Sequence, residues 1–113
     1  MQKSALGFAA LLSLAIAFPA QAKSWVGKAS YYGLKGRTAN GGHVGGLTAA
    51  HRTLPFGTQA KVTNLHNNRS VVVTINDRGP FTGGRVIDVS THAADQLGFR
   101  SAGVALVRVE ALR

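Results

Sequence analysis

The chain contains no cysteine and only four acidic residues among its 113 positions. The absence of cysteine excludes disulfide cross-links and also an N-terminal lipid anchor, which requires a cysteine. A small domain without disulfides depends on a well-filled apolar core, and valine-rich segments supply the material for one here. Thirteen lysines and arginines give the chain a formal net charge of +9 at pH 7. This balance favours a polyanionic partner.

The first 22 residues have the three-part pattern of a secretory signal peptide. Lys3 provides the basic start, residues 5–18 form an apolar run, and the small residues Ala20 and Ala22 occupy the two positions that a signal peptidase reads. A run of about 14 apolar residues is shorter than the roughly 20 that a membrane-spanning helix needs. We therefore expect cleavage after Ala22, export to the periplasm or the extracellular space, and no membrane anchor afterwards.

The remaining residues, 23–113, are enough for one domain, which we expect to be monomeric. Loss of Lys3 leaves 12 basic residues against four acids, a formal charge of +8. Export argues against nucleic acid as the polyanion, and no aromatic and basic recognition motif is present. Anionic polymers of the cell envelope are the more plausible partners. The alternative is that the basic surface serves only to keep the protein soluble. No metal site is expected, because three histidines lack close pairing with carboxylates or thiols: His43, His66 and His92.

Runs of β-branched, small and aromatic residues, together with alternation of apolar and polar residues, predict five short strands. They are placed at residues 25–32, 59–64, 70–75, 85–89 and 104–112. Asn67 and Asn68 suit the tight turn of a hairpin between the second and third strands, because asparagine tolerates the left-handed conformation. The glycine-rich segment 33–46 predicts a long loop.

One helix is predicted, with Ser90 as its N-cap and Gly98 as its stop signal. Five or six short strands and one helix, joined by turn-rich connections, indicate a mainly β fold. A small closed barrel is favoured over an open sheet, because closure leaves no exposed edges.

Four segments, taken together, resemble one known family. They are Gly27-Lys28-Ala29-Ser30-Tyr31-Tyr32-Gly33, Thr38-Ala39-Asn40-Gly41, Leu47-Thr48-Ala49-Ala50-His51-Arg52-Thr53-Leu54-Pro55-Phe56-Gly57-Thr58 and Ile75-Asn76-Asp77-Arg78-Gly79-Pro80-Phe81. Their order and spacing are similar to those of the rare lipoprotein A (RlpA-like) family of endolytic peptidoglycan transglycosylases. The resemblance covers essentially all of residues 23–113.

The resemblance implies a six-stranded double-psi β-barrel, the fold of expansins, whose open groove accepts a polysaccharide. It also implies an activity: non-hydrolytic cleavage of peptidoglycan strands that lack stem peptides, leaving 1,6-anhydro-muramic ends, with no cofactor. An ordinary glycosidase needs two carboxylates. A lytic transglycosylase can use one, because the 6-hydroxyl of the muramic acid takes the place of water.

Asp77 is the first candidate for that carboxylate. It stands where a β-branched strand ends in a Gly-Pro loop, a position from which a side chain reaches into a groove. The alternative is that Asp77 caps the turn or pairs with Arg78. The resemblance favours catalysis, because the family's groove aspartate lies in the same Asn-Asp-Arg-Gly-Pro motif.

His51 and Asp88 are further candidates from the resemblance. His51 lies at a functional position of the family, where it would hydrogen-bond the carboxylate or the sugar and so tune the pKa of the carboxylate. A buried structural histidine is the alternative. Asp88 resembles the groove aspartate of expansin-like barrels, and its alternative role is to help Ser90 cap the helix.

The expected substrate-binding residues combine flat side chains with residues of the family motifs. Tyr32 and Phe81 have apolar faces that suit sugar rings, whereas Trp25 and one tyrosine are expected in the core. The motifs add Asn40, Arg78 and Asp88 to the substrate-binding set.

The sequence departs from the family in the loop after Thr-Ala-Asn-Gly. Gly42 and Gly45 stand where the family typically carries a glutamate and an aspartate. Two interpretations follow. Either Asp77 and His51 suffice for a slow or altered transglycosylase, or the barrel has kept its groove and lost turnover. In the second case it is a non-catalytic, expansin-like module that binds peptidoglycan.

Overall fold

The computed structural model describes residues 23–32 and 46–112, which contain six strands and one helix. The elements are β1 (Ser24–Tyr32), β2 (Thr48–Ala50), β3 (Gln59–Asn64), β4 (Ser70–Asp77), β5 (Arg85–Ser90), α1 (Thr91–Leu97) and β6 (Val104–Ala111). The predicted signal peptide, Asn40, Gly42 and Gly45 lie outside the described residues. No helix in the described part of the chain is long and apolar enough to cross a membrane.

The six strands close into a barrel in the order β1-β5-β2-β4-β3-β6, which confirms the predicted closed barrel. Five strands begin and end within two residues of their predicted bounds. The sixth, β2, was not predicted, because three residues carry no measurable alternation. It nevertheless joins the two halves of the barrel, since it pairs in parallel with β4 and antiparallel with β5.

Alternating side chains fill the barrel interior. In β4, Val71, Val73 and Ile75 are buried, whereas Val72 between them is 40% exposed. Each such residue that is fully buried contributes roughly 1.5–3 kcal/mol to the free energy of folding. The other strands contribute Ala29, Ala49, Ala60, Val62, Ile87, Val89, Val107 and Val109 to the same core, and it is completed by Ala93, Ala94 and Leu97 of the helix and by Leu54 and Phe99 of the loops. Trp25 and Tyr31 pack against its margin, in agreement with the expectation that one tyrosine joins Trp25 there.

The predicted helix signals are confirmed. The hydroxyl of Ser90 accepts a hydrogen bond from the Ala93 N–H at 3.2 Å. Gly98 follows the helix with φ of 79°, in the left-handed region that glycine adopts without strain. Asn68 also has a positive φ, of 64°, and so forms the β3–β4 turn as predicted.

A β-bulge near the end of β4 changes which side of the sheet the following residues face. Ala49 pairs with Ile75, but the next residue, Ala50, pairs with Asp77. Asn76 is therefore an extra residue in β4. Strict alternation from the buried Ile75 would turn residue 77 inward, and the extra residue places it instead on the outer side, level with Ala50. Bulges often re-aim a side chain beside a functional site.

Candidate functional site

Three neighbouring strands place one carboxylate on each side of an alanine. Ala50 of β2 pairs with Asp77 of β4 on one side and with Asp88 of β5 on the other. Neighbouring strands lie about 4.8 Å apart, so the two aspartate Cα atoms are separated by about 10 Å. We call Asp77, Ala50 and Asp88 the carboxylate row. Ser30 of β1 lies beside this row, because it pairs with Asp88. Ala50 is 4% exposed and contributes only a methyl group between the two acids.

Asp88 is held in place by two donors. Its Oδ1 atom accepts a hydrogen bond from the Ser30 hydroxyl. The Arg85 guanidinium lies 3.3 Å from the same oxygen. The helix N-cap is supplied by the Ser90 hydroxyl. The alternative in which Asp88 helps to cap the helix is therefore wrong, because its carboxylate is bound to β1 and to its own strand.

Asp77 makes the turn contact that the sequence allowed. Its Oδ1 atom accepts a hydrogen bond from the Arg78 backbone N–H at 2.8 Å. The Arg78 guanidinium is directed elsewhere: its Nη1 atom donates to the carbonyls of Leu54 at 2.8 Å and of His51 at 3.2 Å. The same guanidinium lies 4.2 Å from the centre of the Phe56 ring. Arg78 therefore braces the β2–β3 loop.

Tyr32 lies within electrostatic reach of both carboxylates. Burial raises the pKa of Tyr32 above its ordinary value of 10.0, a hydrogen bond with Thr48 opposes the shift, and the charges of Asp77 and Asp88 raise it further. The phenol oxygen lies 3.2 Å from the Thr48 hydroxyl. Tyr32 is therefore a neutral phenol beside the carboxylate row, able to donate a hydrogen bond.

Phe81 projects from the β4–β5 loop with 79% of its surface exposed. Its ring passes over Gly79, where a Cβ atom would meet it at 3.6 Å. An aromatic ring this exposed gains little from folding, and a flat apolar face of this kind suits a sugar ring. Phe81 follows Asp77 by four residues, in the loop that begins where β4 ends.

His51 follows Ala50 directly but is only 2% exposed. Its Nδ1 atom accepts hydrogen bonds from the backbone N–H groups of Thr53, at 3.2 Å, and Leu54, at 3.1 Å. The imidazole meets the Trp25 ring edge-on, with 4.4 Å between the ring centres. The contact with Asp77 is through the backbone, because the His51 N–H donates to the Asp77 carbonyl at 3.2 Å.

Burial lowers the pKa of His51 to about 4, and the positive charges of Arg78 and Arg52 contribute to the shift. The ring is therefore neutral at neutral pH. Since Nδ1 accepts two hydrogen bonds, the single ring proton resides on Nε2. His51 thus organises the turn that follows β2, and its side chain is packed against Trp25.

Arg52 was not predicted from the sequence as a site residue. Its Nε atom donates to the Pro80 carbonyl at 2.6 Å, and its Nη2 atom donates to the carbonyls of Thr82, at 3.1 Å, and Arg85, at 3.0 Å. Arg52 thus reaches from the β2–β3 loop to the β4–β5 loop, while Arg78 reaches back. We call this pair the arginine clamp. Nothing in the local sequence distinguishes Arg52 from an ordinary exposed arginine.

Comparison with known proteins places the barrel in a family. A family model described as lytic transglycolase matches residues 24–109. The chain belongs to this family. It is 62% identical over 89 residues to a probable endolytic peptidoglycan transglycosylase RlpA of Synechocystis sp., covering 74% of this chain and 28% of the relative. It is 54% identical over 99 residues to the endolytic peptidoglycan transglycosylase RlpA of Haemophilus influenzae, covering 81% and 34%. The chain thus spans about a third of the length of these relatives.

Solved structures agree on the fold. The Streptomyces papain inhibitor superposes with a TM-score of 0.67 at 24% identity, over 80% of this chain and 96% of the inhibitor. A point mutant of the Clavibacter michiganensis expansin in complex with cellohexaose gives a TM-score of 0.63 at 23% identity, over 80% and 51%. Together with the family match, these likenesses confirm the predicted six-stranded double-psi β-barrel.

Proposed function

We propose that this chain is exported and cleaves the glycan strands of peptidoglycan as a lytic transglycosylase. The observation that carries the proposal is the carboxylate row, in which the β4 bulge sets Asp77 on the outer side of the barrel beside Ala50. Tyr32 and Asp88 on the same side provide polar groups for a bound glycan. The names of the RlpA relatives support the choice of reaction, and the family resemblance supports strands without stem peptides as the substrate.

In the proposed reaction, protonated Asp77 gives its proton to the glycosidic oxygen while the bond from that oxygen to C1 of the muramic residue breaks. The 6-hydroxyl of the same muramic residue then forms a bond to C1 and returns its proton to the Asp77 carboxylate. The products are a 1,6-anhydro-muramic end and a free hydroxyl on the departing sugar. One carboxylate acts first as acid and then as base, so no second catalytic acid is required.

The other residues position the strand and the catalytic group. Tyr32 donates a hydrogen bond to the sugar as a neutral phenol, and Asp88 accepts one from a position fixed by Ser30. His51 acts as a positioning residue for Asp77, through its backbone N–H and the turn that its imidazole holds. Asn40 belongs to the same proposed set through its motif. The net positive charge of the chain, +9 at pH 7, attracts the anionic polymer.

The experiment compares the purified chain with three variants on peptidoglycan stripped of stem peptides, with soluble products identified by mass spectrometry. Asp77→Asn is expected to release no anhydro-ended fragments. Asp88→Asn is expected to cleave more slowly. Asp95→Asn is the matched control, because Asp95 lies on the exposed side of α1 and pairs with Arg100 at 3.1 Å. Undiminished cleavage by Asp77→Asn would refute the assignment.

A second candidate function is binding of the glycan without cleavage. The Asp77 carboxylate acts as a hydrogen-bond acceptor in the structure, for the Arg78 N–H, and acceptance of sugar hydroxyls requires no proton transfer. The expansin structure in the same fold class is a complex with cellohexaose. The same experiment separates the two functions: a parent chain that sediments with the glycan but releases no fragments is a binding module.

A further inference from the structure

An open cavity of about 230 Å³ lies beside His51. Its lining combines two apolar side chains with three polar ones: Trp25, Val86, His51, Arg52 and Thr53. Neither carboxylate of the row contributes to the lining, and among the described residues that form the cavity none is acidic. The two acids of the carboxylate row are therefore not part of this cavity.

The apolar walls are fixed by packing. Val86 covers Gly27 so closely that a Cβ atom on Gly27 would lie 2.6 Å from a Val86 methyl group. Trp25 is held by the edge-on contact with His51. Two such walls suit the apolar face of a compact ring or a short aliphatic group, and the volume admits one such group rather than a long chain.

The polar lining offers unused donors. The Nε and Nη2 atoms of Arg52 donate the hydrogen bonds of the arginine clamp. Within residues 23–32 and 46–112, its Nη1 atom has no acceptor. The Nε2–H of His51 likewise has no acceptor in the described ranges, since the hydrogen bonds of the ring are made at Nδ1. A positive charge with spare N–H groups, in a cavity without acids, is a site for a carboxylate.

We propose that this cavity binds the carboxylate-bearing side group of an acidic sugar. The choice of sugar rests on the proposed function: in peptidoglycan the group is the lactyl ether of muramic acid. Its carboxylate accepts hydrogen bonds from Arg52 Nη1 and His51 Nε2, and its methyl group contacts Trp25 and Val86. Val86 precedes Asp88 by two residues on β5, about 7 Å along the strand, so one glycan strand reaches both the cavity and the carboxylate row.

The first test uses Trp25, the only tryptophan of the chain, as a fluorescent reporter of the cavity. The chain is titrated with N-acetylmuramic acid and with N-acetylglucosamine, which differ by the lactyl group. We expect the acidic sugar to bind at least about tenfold more tightly, as a charge-assisted hydrogen bond implies. Equal affinity for the two sugars, or no response to either, would overturn the inference.

A matched set of variants tests the role of charge. Thr53→Glu places a carboxylate in the cavity from an exposed position, where it competes with the ligand for Arg52. Thr53→Gln adds similar bulk without charge. Lys61→Gln, on β3, removes one unit of positive charge from an exposed position outside the cavity lining. We expect only Thr53→Glu to abolish the preference for N-acetylmuramic acid, and equal losses in all three variants would contradict a specific site.

The outcomes for this site and for the proposed function are distinguishable. If the chain cleaves glycan but shows no preference between the two sugars, the proposed function is supported and the cavity assignment is refuted. If the chain prefers N-acetylmuramic acid but releases no fragments, the cavity assignment is supported and the transglycosylase activity is refuted. In an active chain, Thr53→Glu is expected to raise KM and leave kcat nearly unchanged, since it affects ground-state and transition-state binding equally.

Discussion

Asp77 and Asp88 lie in one row although their strands are not paired with each other. β2 separates β4 from β5 in the barrel, and its residue Ala50 pairs with both aspartates. The site therefore depends on a three-residue strand and on the bulge at Asn76. Together they bring two acids that are 11 residues apart in the sequence to either side of Ala50.

The lowered pKa of His51 gives the first prediction. The unfolded chain binds a proton at His51 near pH 6.5, whereas the folded chain resists protonation down to about pH 4. Unfolding therefore takes up a proton between these values, and stability is lost as the pH falls through this window. The loss is expected to reach roughly 2–3 kcal/mol. Denaturant unfolding of the chain at pH 7, 5.5 and 4 measures it.

The control for this prediction is His51→Asn. An asparagine side chain accepts the N–H two residues ahead, as in an Asx turn, so the turn after β2 is retained without a titrating group. The variant is expected to lose most of the pH dependence between 6.5 and 4. An unchanged pH dependence would show that another group is responsible.

Gly27 supports the cavity wall, and its replacement gives a second prediction. A methyl group there would lie 2.6 Å from Val86 Cγ1 and 3.2 Å from the Gly84 carbonyl, so Gly27→Ala forces Val86 to move. We expect a loss of about 1–3 kcal/mol in the free energy of unfolding. Gly83→Ala is the matched control, because a Cβ atom at Gly83 meets nothing within 4 Å. Equal stability of the two variants would contradict the close packing at Gly27.

The arginine clamp gives a third prediction, for Arg78→Lys. Lysine keeps the charge but has neither the planar group that lies over Phe56 nor the fixed geometry that reaches the two carbonyls. The expected loss of stability is about 1–3 kcal/mol, measured by denaturant unfolding. Arg108→Lys, at an exposed position of β6, is expected to be neutral. A neutral Arg78→Lys would show that the clamp does not stabilise the two loops.

Phe81 gives a fourth prediction, which separates binding from stability. Because the ring is 79% exposed, Phe81→Ala is expected to leave the unfolding midpoint unchanged. Loss of one ring that stacks on a sugar should weaken sedimentation with peptidoglycan about fivefold. Leu106→Ala, which removes an exposed apolar side chain from β6, is the control. Wild-type binding by Phe81→Ala would show that Phe81 does not contact the glycan.

The sequence predicted those parts of the molecule that leave a local trace. Alternating apolar residues and runs of β-branched and aromatic residues marked five strands, Ser90 and Gly98 marked the helix, and the break after Ile75 marked Asp77. β2 and the bulge could not be predicted, because strand register is set by pairing with distant segments. Arg52 was missed for a related reason: its acceptors are backbone carbonyls about 30 residues away, which no local pattern reveals.

In the proposed reaction, Asp77 cleaves the strand with the 6-hydroxyl of the muramic residue in place of water. Digestion of stem-peptide-free glycan in water enriched in oxygen-18, followed by mass spectrometry, tests it most directly. We expect anhydro ends without label from the parent chain and no products from Asp77→Asn. Reducing ends that carry the label, with no anhydro ends, would contradict it and would indicate hydrolysis by two carboxylates, with Asp88 as the second.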